Sequence, residues 1–340
     1  MHDWEHVWAL VLAAGEGCRL APFTTTQSGL TIPKQFCSLD RGPSLVQEAL
    51  QRAAAVAGAE RTCAIVALQH RQWWLEQLNG VPAKNIVVQP QNRGTANGVL
   101  LPLLMILERD PQARILIMPS DHYLRDEEPL VRALRYAAVP SERAGTEILL
   151  LGLEPEDPDS ELGYIVPRRD VAQVHHAVAR FVEKPDTPRA QVLLEEGALW
   201  NSFIIAADGP ALLKLFERRC PEVVAAMCDA LGSAEPAGAD GALAALYETL
   251  ANLDFSRSIL QGQEEYLRVL PVPECGWSDL GTPQRVARAL HALERRVAYS
   301  DAGKRMVLSL AAQHRRLRGG AKVGVPGAGI IRNRYPEPSG

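Results

Sequence analysis

Residues 7–14 form an unbroken apolar run that empties into Gly15-Glu16-Gly17-Cys18-Arg19-Leu20-Ala21-Pro22. The run is too short and too uniformly apolar for an amphipathic helix, so it reads as a buried strand. Gly15 and Gly17 let the backbone turn sharply and come close to a ligand. Amides in such a loop point at an anion, and Arg19 adds full positive charge. Lys34, in the Pro33-Lys34-Gln35-Phe36 segment that follows, adds a second cation. A strand that ends in a glycine turn with two cations is suited to holding a polyphosphate.

Short apolar runs alternate with helical patterns through the rest of the chain. They predict strands at 7–14, 62–68, 85–89, 114–119, 146–153, 163–167, 177–183, 200–206 and 266–272. Helices are expected at 44–57, 95–109, 127–138, 187–196, 208–218, 221–231, 241–251 and 282–297. Ser44-Leu45-Val46-Gln47 has the form of a capping box and supports a helix start there. Strand–helix alternation in the first half argues a Rossmann-like, doubly wound α/β fold on a mixed, mainly parallel sheet, with helices on both faces. Crossovers in such a sheet are right-handed, which places the first loop at the carboxyl edge, where ligands bind. Residues 146–206 are richer in strands and extend the sheet with mixed or antiparallel pairs. The Ala- and Gly-rich residues 231–245 read as a loose connection. Residues 1–297 are expected to form one domain. Residues 298–340, basic and then Gly/Pro-rich, read as a partly disordered or peripheral tail.

The chain has 340 residues and is 47% hydrophobic, ample for a large core. A net charge of −4 with no dominating basic patch argues against nucleic acid as a partner. No apolar stretch reaches membrane-spanning length, and the start lacks the pattern of a signal peptide. The six cysteines (18, 37, 63, 220, 228 and 275) show no CxxC pair and no zinc spacing. Reduced thiols in a cytoplasmic protein are the expectation, with Cys18 somewhat activated by its neighbour Arg19.

Taken singly, each candidate motif has a bland alternative. The glycine loop can be an ordinary βα turn. It is not a dinucleotide fingerprint, because Leu20 stands where a third glycine is needed and no acid closes the second strand at Ala67-Leu68-Gln69. Met118-Pro119-Ser120-Asp121-His122 puts a carboxylate at a strand end, where it can hold Mg²⁺ against phosphate oxygens or merely cap a helix. His122 reads as a hydrogen-bonding neighbour rather than a base. Glu274-Cys275-Gly276-Trp277-Ser278-Asp279-Leu280-Gly281 offers a second carboxylate, with the same two readings. Two distant aspartates at strand ends can share one cation. Arg180-Phe181-Val182-Glu183-Lys184-Pro185 ends a strand with an acid for sugar hydroxyls and a base for phosphate, or with a surface charge pair. Leu199-Trp200-Asn201-Ser202 brings an amide suited to hydroxyls. Val87-Val88-Gln89-Pro90-Gln91-Asn92-Arg93-Gly94-Thr95 joins a strand to a helix with groups suited to a base edge.

In their order and co-occurrence these segments resemble the sugar-1-phosphate nucleotidyltransferases, most closely the bacterial mannose-1-phosphate guanylyltransferases. Pro33-Lys34-Gln35-Phe36 and Gly276-Trp277-Ser278-Asp279-Leu280-Gly281 tilt the match toward the mannose branch. The resemblance implies the reaction of NTP with sugar 1-phosphate to give NDP-sugar and pyrophosphate, without a covalent enzyme intermediate. It implies that Leu12, Ala13, Ala14, Gly15 and Gly17 cradle the triphosphate and that Arg19 stabilises departing pyrophosphate. Lys34 would reach the α-phosphate, and Lys184 would clamp the sugar phosphate. Gln89, Arg93, Gly94, Thr95 and Ser120 would lie at the nucleotide, and Gly163, Tyr164, Glu183 and Asn201 at the sugar. Asp121 and Asp279 would hold Mg²⁺. Partners are then small molecules, with homo-oligomerisation left open.

The chain departs from the family at Cys18 (usually Thr or Ser), Ala21 (Trp) and Asn97 (Pro). It has Phe203-Ile204-Ile205 where Gly-Met-Phe is usual. Residues 254–261 only loosely echo a Ser-Ile-Asp segment, with Asp254 a candidate substitute for its acid. These changes surround the base and sugar pockets, so another sugar or base remains open. So does a non-catalytic sugar-nucleotide sensor, although Arg19, Lys34, Asp121 and Asp279 are all present.

Overall fold

The structure, a computed structural model, describes residues 4–17, 20–26, 29–40, 42–139, 148–168, 174–232 and 236–298. Arg19, Cys18 and the tail from 299 lie outside the described residues. Among the described residues nine strands form one sheet: β1 (Val7–Ala13), β2 (Thr62–Ala67), β3 (Ile86–Gln89), β4 (Arg114–Pro119), β5 (Ile148–Leu153), β6 (Tyr164–Pro167), β7 (His176–Val182), β8 (Leu199–Asp208) and β9 (Leu267–Val272). Their order is β3-β2-β1-β4-β8-β5-β9-β7-β6. The first four strands pair in parallel. From β4 onward the pairs are antiparallel except β5–β9, as the strand-rich middle of the sequence leads one to expect. A further antiparallel pairing of β6 with β8 closes β8, β5, β9, β7 and β6 into a ring.

The uniform apolarity of β1 follows from its place inside the sheet. Trp8 and Leu10 join a core under α4 (Gly94–Arg109), α7 (Gly209–Arg219) and α8 (Pro221–Leu231). Val7, Ala9 and Val11 face the opposite core, under α2 (Leu45–Ala57), α5 (Glu127–Ala138) and α6 (Thr187–Glu195). Helix α2 starts with the expected capping box: Ser44 N donates to Gln47 Oε1 (3.1 Å) and Gln47 N to Ser44 Oγ (3.4 Å). Two elements differ from the sequence reading. Helix α3 (Arg71–Gln77) was not expected; its buried Trp73 and Trp74 anchor it, with Trp74 Nε1 donating to Ala67 O. Helix α9 (Pro236–Thr249) replaces most of the loose connection read at 231–245, because an alanine-rich tract is a good helix former. The remaining helices are the one-turn α1 (Ala21–Thr24) and α10 (Pro283–Ala298). No described helix is long and apolar enough to cross a membrane, and the five described cysteines are unpaired.

Strand β8 is bulged. Leu150 pairs with Ile205 and Gly152 with Asn201, so three residues of β8 face Leu151 alone. Ser202 Oγ donates to Leu151 O (2.5 Å), and Phe203 takes φ +57°. The bulge turns Asn201 relative to the rest of the strand. Gly152 sits at this seam, where an added Cβ would lie 2.7 Å from both Leu199 Cδ1 and Val269 Cγ2. Gly152→Val is expected to lower stability by about 1–3 kcal/mol through overpacking, read as a reduced urea midpoint with unchanged slope.

Candidate active site

The ends of β1 and β4 are neighbours, since Leu12 pairs with Pro119. The loop after β1 and the Asp121 turn after β4 therefore open side by side at the carboxyl edge. Gln35, buried in the 3-10 turn Lys34–Phe36, donates from Nε2 to Ala13 O (3.1 Å) and Gly15 O (2.8 Å), pinning the loop's carbonyls. Gly17, at φ +64°, is pressed against Lys34: an added Cβ would lie 3.0 Å from Lys34 N. These contacts hold Ala13, Ala14, Gly15 and Gly17 over Lys34.

The Lys34 side chain is only 7% exposed, and its Nζ lies 2.8 Å from Asp121 Oδ2. The same ammonium donates to the main-chain oxygen of Asp279 at 2.6 Å. One buried cation thus joins the two aspartate turns. Neither aspartate is the helix cap that its sequence context also allowed. The α5 cap is Asp126, whose side chain accepts from Glu128 N. At α10 it is Thr282 Oγ1 that accepts from Arg285 N. Desolvation opposes ionisation of Asp121, but the Lys34 charge beside it holds its carboxyl below the usual range.

Among the described residues no three His, Cys, Asp or Glu side chains converge on a metal position. Mg²⁺ needs only one or two carboxylates beside substrate oxygens. Asp121 is 38% exposed and reachable, with its Oδ2 held by Lys34. Asp279 Oδ1 accepts from Gly281 N (3.0 Å) and from Arg285. Both are carboxylates held by a fixed cation, and carboxylate oxygens are the donors a hard divalent ion takes.

Gly163, Glu183 and Asn201 also come together. Asn201 N donates to Gly163 O (2.8 Å). A Cβ on Gly163 would lie 2.5 Å from Glu183 Oε2 and 3.2 Å from Asn201 Cβ. Among the described residues Glu183 Oε2 is buried without a hydrogen-bond partner, so it has capacity to accept from a donor. Burial raises the Glu183 pKa, with Lys184, 3.7 Å away, pulling it back. Lys184 adopts φ +48° at the turn. A buried carboxylate beside a strained lysine is not an ordinary surface charge pair.

Other residues assigned from sequence have different partners. Tyr164 is buried on the opposite face of the sheet, and its hydroxyl bonds the Asp159 backbone, so its side chain does not join Glu183. Ser120 donates from both N and Oγ to Leu12 O, a structural tie between β1 and β4. Arg93 caps α9 by donating to Tyr247 O and Glu248 O. Thr95 Oγ1 accepts from Phe255 N. Gly94, at φ +84°, packs so tightly on residues 252–253 that a Cβ would lie 2.3 Å from Leu253 O. This loop docks on the chain after α9, a long-range contact that no local pattern announces. Gln89 is 1% exposed, with an unpartnered Oε1 3.7 Å from the Cβ position of Gly98. Gln35 and Arg285 carry no role that their local sequence announces; Gln35 stands inside the Pro-Lys-Gln-Phe segment, and Arg285 in no motif.

His122 accepts at Nδ1 from Trp277 Nε1 (3.0 Å), which leaves its proton on Nε2 toward Asp121. Burial pushes its pKa down to about 4, against the pull of Asp121. His122 is therefore a neutral strut between the two aspartate loops. The stability that depends on its neutral form is complete above the ordinary value of 6.5 and is lost as pH falls toward about 4. In ¹⁵N NMR His122 should show the Nε2–H tautomer at neutral pH and titrate near 4; an imidazolium already formed at pH about 6 would refute this reading.

Residues 8–296 match the nucleotidyl transferase family. The alginate biosynthesis protein AlgA of Pseudomonas syringae pv. tomato is 30% identical over 279 residues, covering 80% of this chain and 56% of AlgA. The mannose-1-phosphate guanylyltransferase of Salmonella muenchen is 28% identical over 281 residues, covering 80% of this chain and 57% of that protein. The chain thus spans little more than half the length of these curated relatives. A crystal structure described as mannose-1-phosphate geranyltransferase from Thermus thermophilus superimposes with TM-score 0.71 at 26% identity, covering 84% of this chain and 79% of that one. UDP-glucose pyrophosphorylase complexed with UDP-glucose shares the fold, with TM-score 0.53 at 14% identity over 85% of this chain and 98% of its own. With the match running from β1 into α10, the chain belongs to the nucleotidyl transferase family.

Proposed function

We propose that this chain catalyses Mg²⁺-dependent transfer of a nucleotidyl group from an NTP to a sugar 1-phosphate, with release of pyrophosphate. GTP and mannose 1-phosphate are the proposed pair, supported by the guanylyltransferase relative and by the Trp277-Ser278-Asp279 form of the second aspartate loop. The carrying observation is the Lys34 ammonium, held between Asp121 and Asp279 beneath the glycine loop.

The chemistry asks for two polyanions to meet in line, and their repulsion is the main barrier. The sugar phosphate is already a nucleophile, so positioning and charge neutralisation carry the catalysis. The loop 13–17 receives the triphosphate, and Lys34 faces its α-phosphate. Arg19 is assigned to the leaving pyrophosphate. Glu183 and Asn201 accept and donate to sugar hydroxyls, while Lys184 neutralises the incoming phosphate. Mg²⁺, held by Asp121 and Asp279, would neutralise phosphate charge when bound.

Pyrophosphate release from a panel of NTPs and sugar 1-phosphates tests this, with GTP and mannose 1-phosphate expected to give the highest kcat/KM. Nucleotide-sugar binding with no Mg²⁺-dependent release for any pair would favour a sensor instead. Asp121→Ala is expected to lose turnover by about a hundredfold or more while the protein stays folded by circular dichroism. Lys184→Ala should weaken sugar 1-phosphate use far more than NTP binding; equal losses in titration calorimetry would contradict its role.

A further inference from the structure

Arg285 lies in the first turn of α10 and is not part of any motif singled out above. Its side chain is 12% exposed. Nη1 donates to Asp279 Oδ1 and Nη2 to Asp159 Oδ2, so one guanidinium spans two carboxylates. Asp279 is 13% exposed and Asp159 25%. Asp159 continues the chain of contacts: its N donates to Tyr164 Oη (2.7 Å), and Tyr164 Oη donates to its carbonyl (3.1 Å). Tyr164 is fully buried at the start of β6, directly after Gly163. The contacts thus run from Lys34 through Asp279, Arg285, Asp159 and Tyr164 to the Gly163 backbone, which holds Asn201.

The chemistry of this link is specific. Asp279 follows β9 and Asp159 follows β5, and these strands are parallel neighbours, so the two loops leave the sheet at the same edge. Two half-buried carboxylates at that edge repel unless a cation lies between them. A planar guanidinium serves both at once in a fixed geometry; an ammonium is a point charge and cannot reproduce that fork. Hydrogen bonds to a ligating carboxylate set where its other oxygen points.

We propose that Arg285 is a positioning residue. It aims the Asp279 carboxylate and, through Asp159 and Tyr164, keeps the Gly163–Asn201 side of the site at a set spacing from the aspartates. This rests on the nucleotidyl-transfer reading above, in which Asp279 faces Mg²⁺ and Gly163 faces sugar.

The test compares wild type, Arg285→Met, Arg285→Lys and Asp159→Asn. In the ligand-free proteins, hydrogen exchange at the amides of Gly281 and Asp159 should quicken by about tenfold or more in both Arg285 variants. The Mg²⁺ concentration for half-maximal rate should rise by roughly 10–100-fold in Arg285→Met, and Arg285→Lys should not restore it. Asp159→Asn, which keeps the contact to Asp279, should raise the KM for sugar 1-phosphate and leave the Mg²⁺ requirement within about threefold. A merely structural arginine would lower the melting temperature and the active fraction without moving the Mg²⁺ requirement. Unchanged exchange at both amides, or a wild-type Mg²⁺ requirement in Arg285→Lys, overturns the proposal. If wild type releases no pyrophosphate with any pair, the activity reading fails, and the exchange arm alone decides whether Arg285 bridges the two loops.

Discussion

A lysine ammonium buried beneath a glycine loop is the constraint around which this site is organised. A cation taken out of water must find partners or lose its charge. Lys34 finds them in Asp121, from the end of β4, and in the carbonyl of Asp279, from the loop after β9. The second partner lies 245 residues away in sequence. Satisfying it requires the β9–α10 loop to fold back over the carboxyl edge of β1 and β4. The Tyr123–Ser278 main-chain bridge and the Trp277–His122 hydrogen bond hold that loop in place.

Backbone strain is concentrated at the same edge. The three described non-glycine residues with positive φ are Lys184, Phe203 and Leu280. Each costs on the order of 1–2 kcal/mol in the left-handed region. Lys184 is itself proposed to bind, Phe203 follows Asn201 by two residues, and Leu280 follows Asp279. At Leu280 the cost is offset by a tight turn, with Leu280 N on Ser278 Oγ and Gly281 N on Asp279 Oδ1. At Phe203, Asn201 Oδ1 accepts from the backbone amide and the ring packs 5.7 Å from Phe255. Phe255 N in turn donates to Thr95 Oγ1. Phe203 stands where the resembling family usually has glycine, and here side-chain packing takes over from conformational freedom.

The strands were legible because each is a short apolar run bounded by turn residues, and buried strands leave that signature whatever pairs with them. Helix α3 was not legible, since seven residues carry too little periodicity and its anchors are two tryptophans. The tract of α9 read as loose because alanine and glycine carry no amphipathic pattern. In the candidate site, Asp121, Asp279, Glu183 and Asn201 stood out as polar residues at or just beyond strand ends, and Lys34 as the cation of the Pro-Lys-Gln-Phe segment. Tyr164 and Ser120 were assigned to ligands through the motifs that carry the resemblance, Gly163-Tyr164-Ile165 and Pro119-Ser120-Asp121. Alternation along β6 sends Tyr164 to the opposite face, and the close β1–β4 pairing consumes both donors of Ser120. Arg93 and Thr95 were read as free to meet a base, yet a segment far along the chain takes both side chains.

The amino-acid sequence alone determined that an apolar strand would run into a glycine turn at the carboxyl edge, with a lysine close behind it, because those properties are local to a few consecutive residues. It also determined which polar groups stand at strand ends. Only the tertiary structure decided which of those groups face one another. Lys34 joining two distant aspartates, Glu183 left with an unsatisfied oxygen, and Arg285 spanning two loops all depend on which strands are neighbours. That order is set by the packing of the whole sheet and its two cores, and no window of sequence contains it.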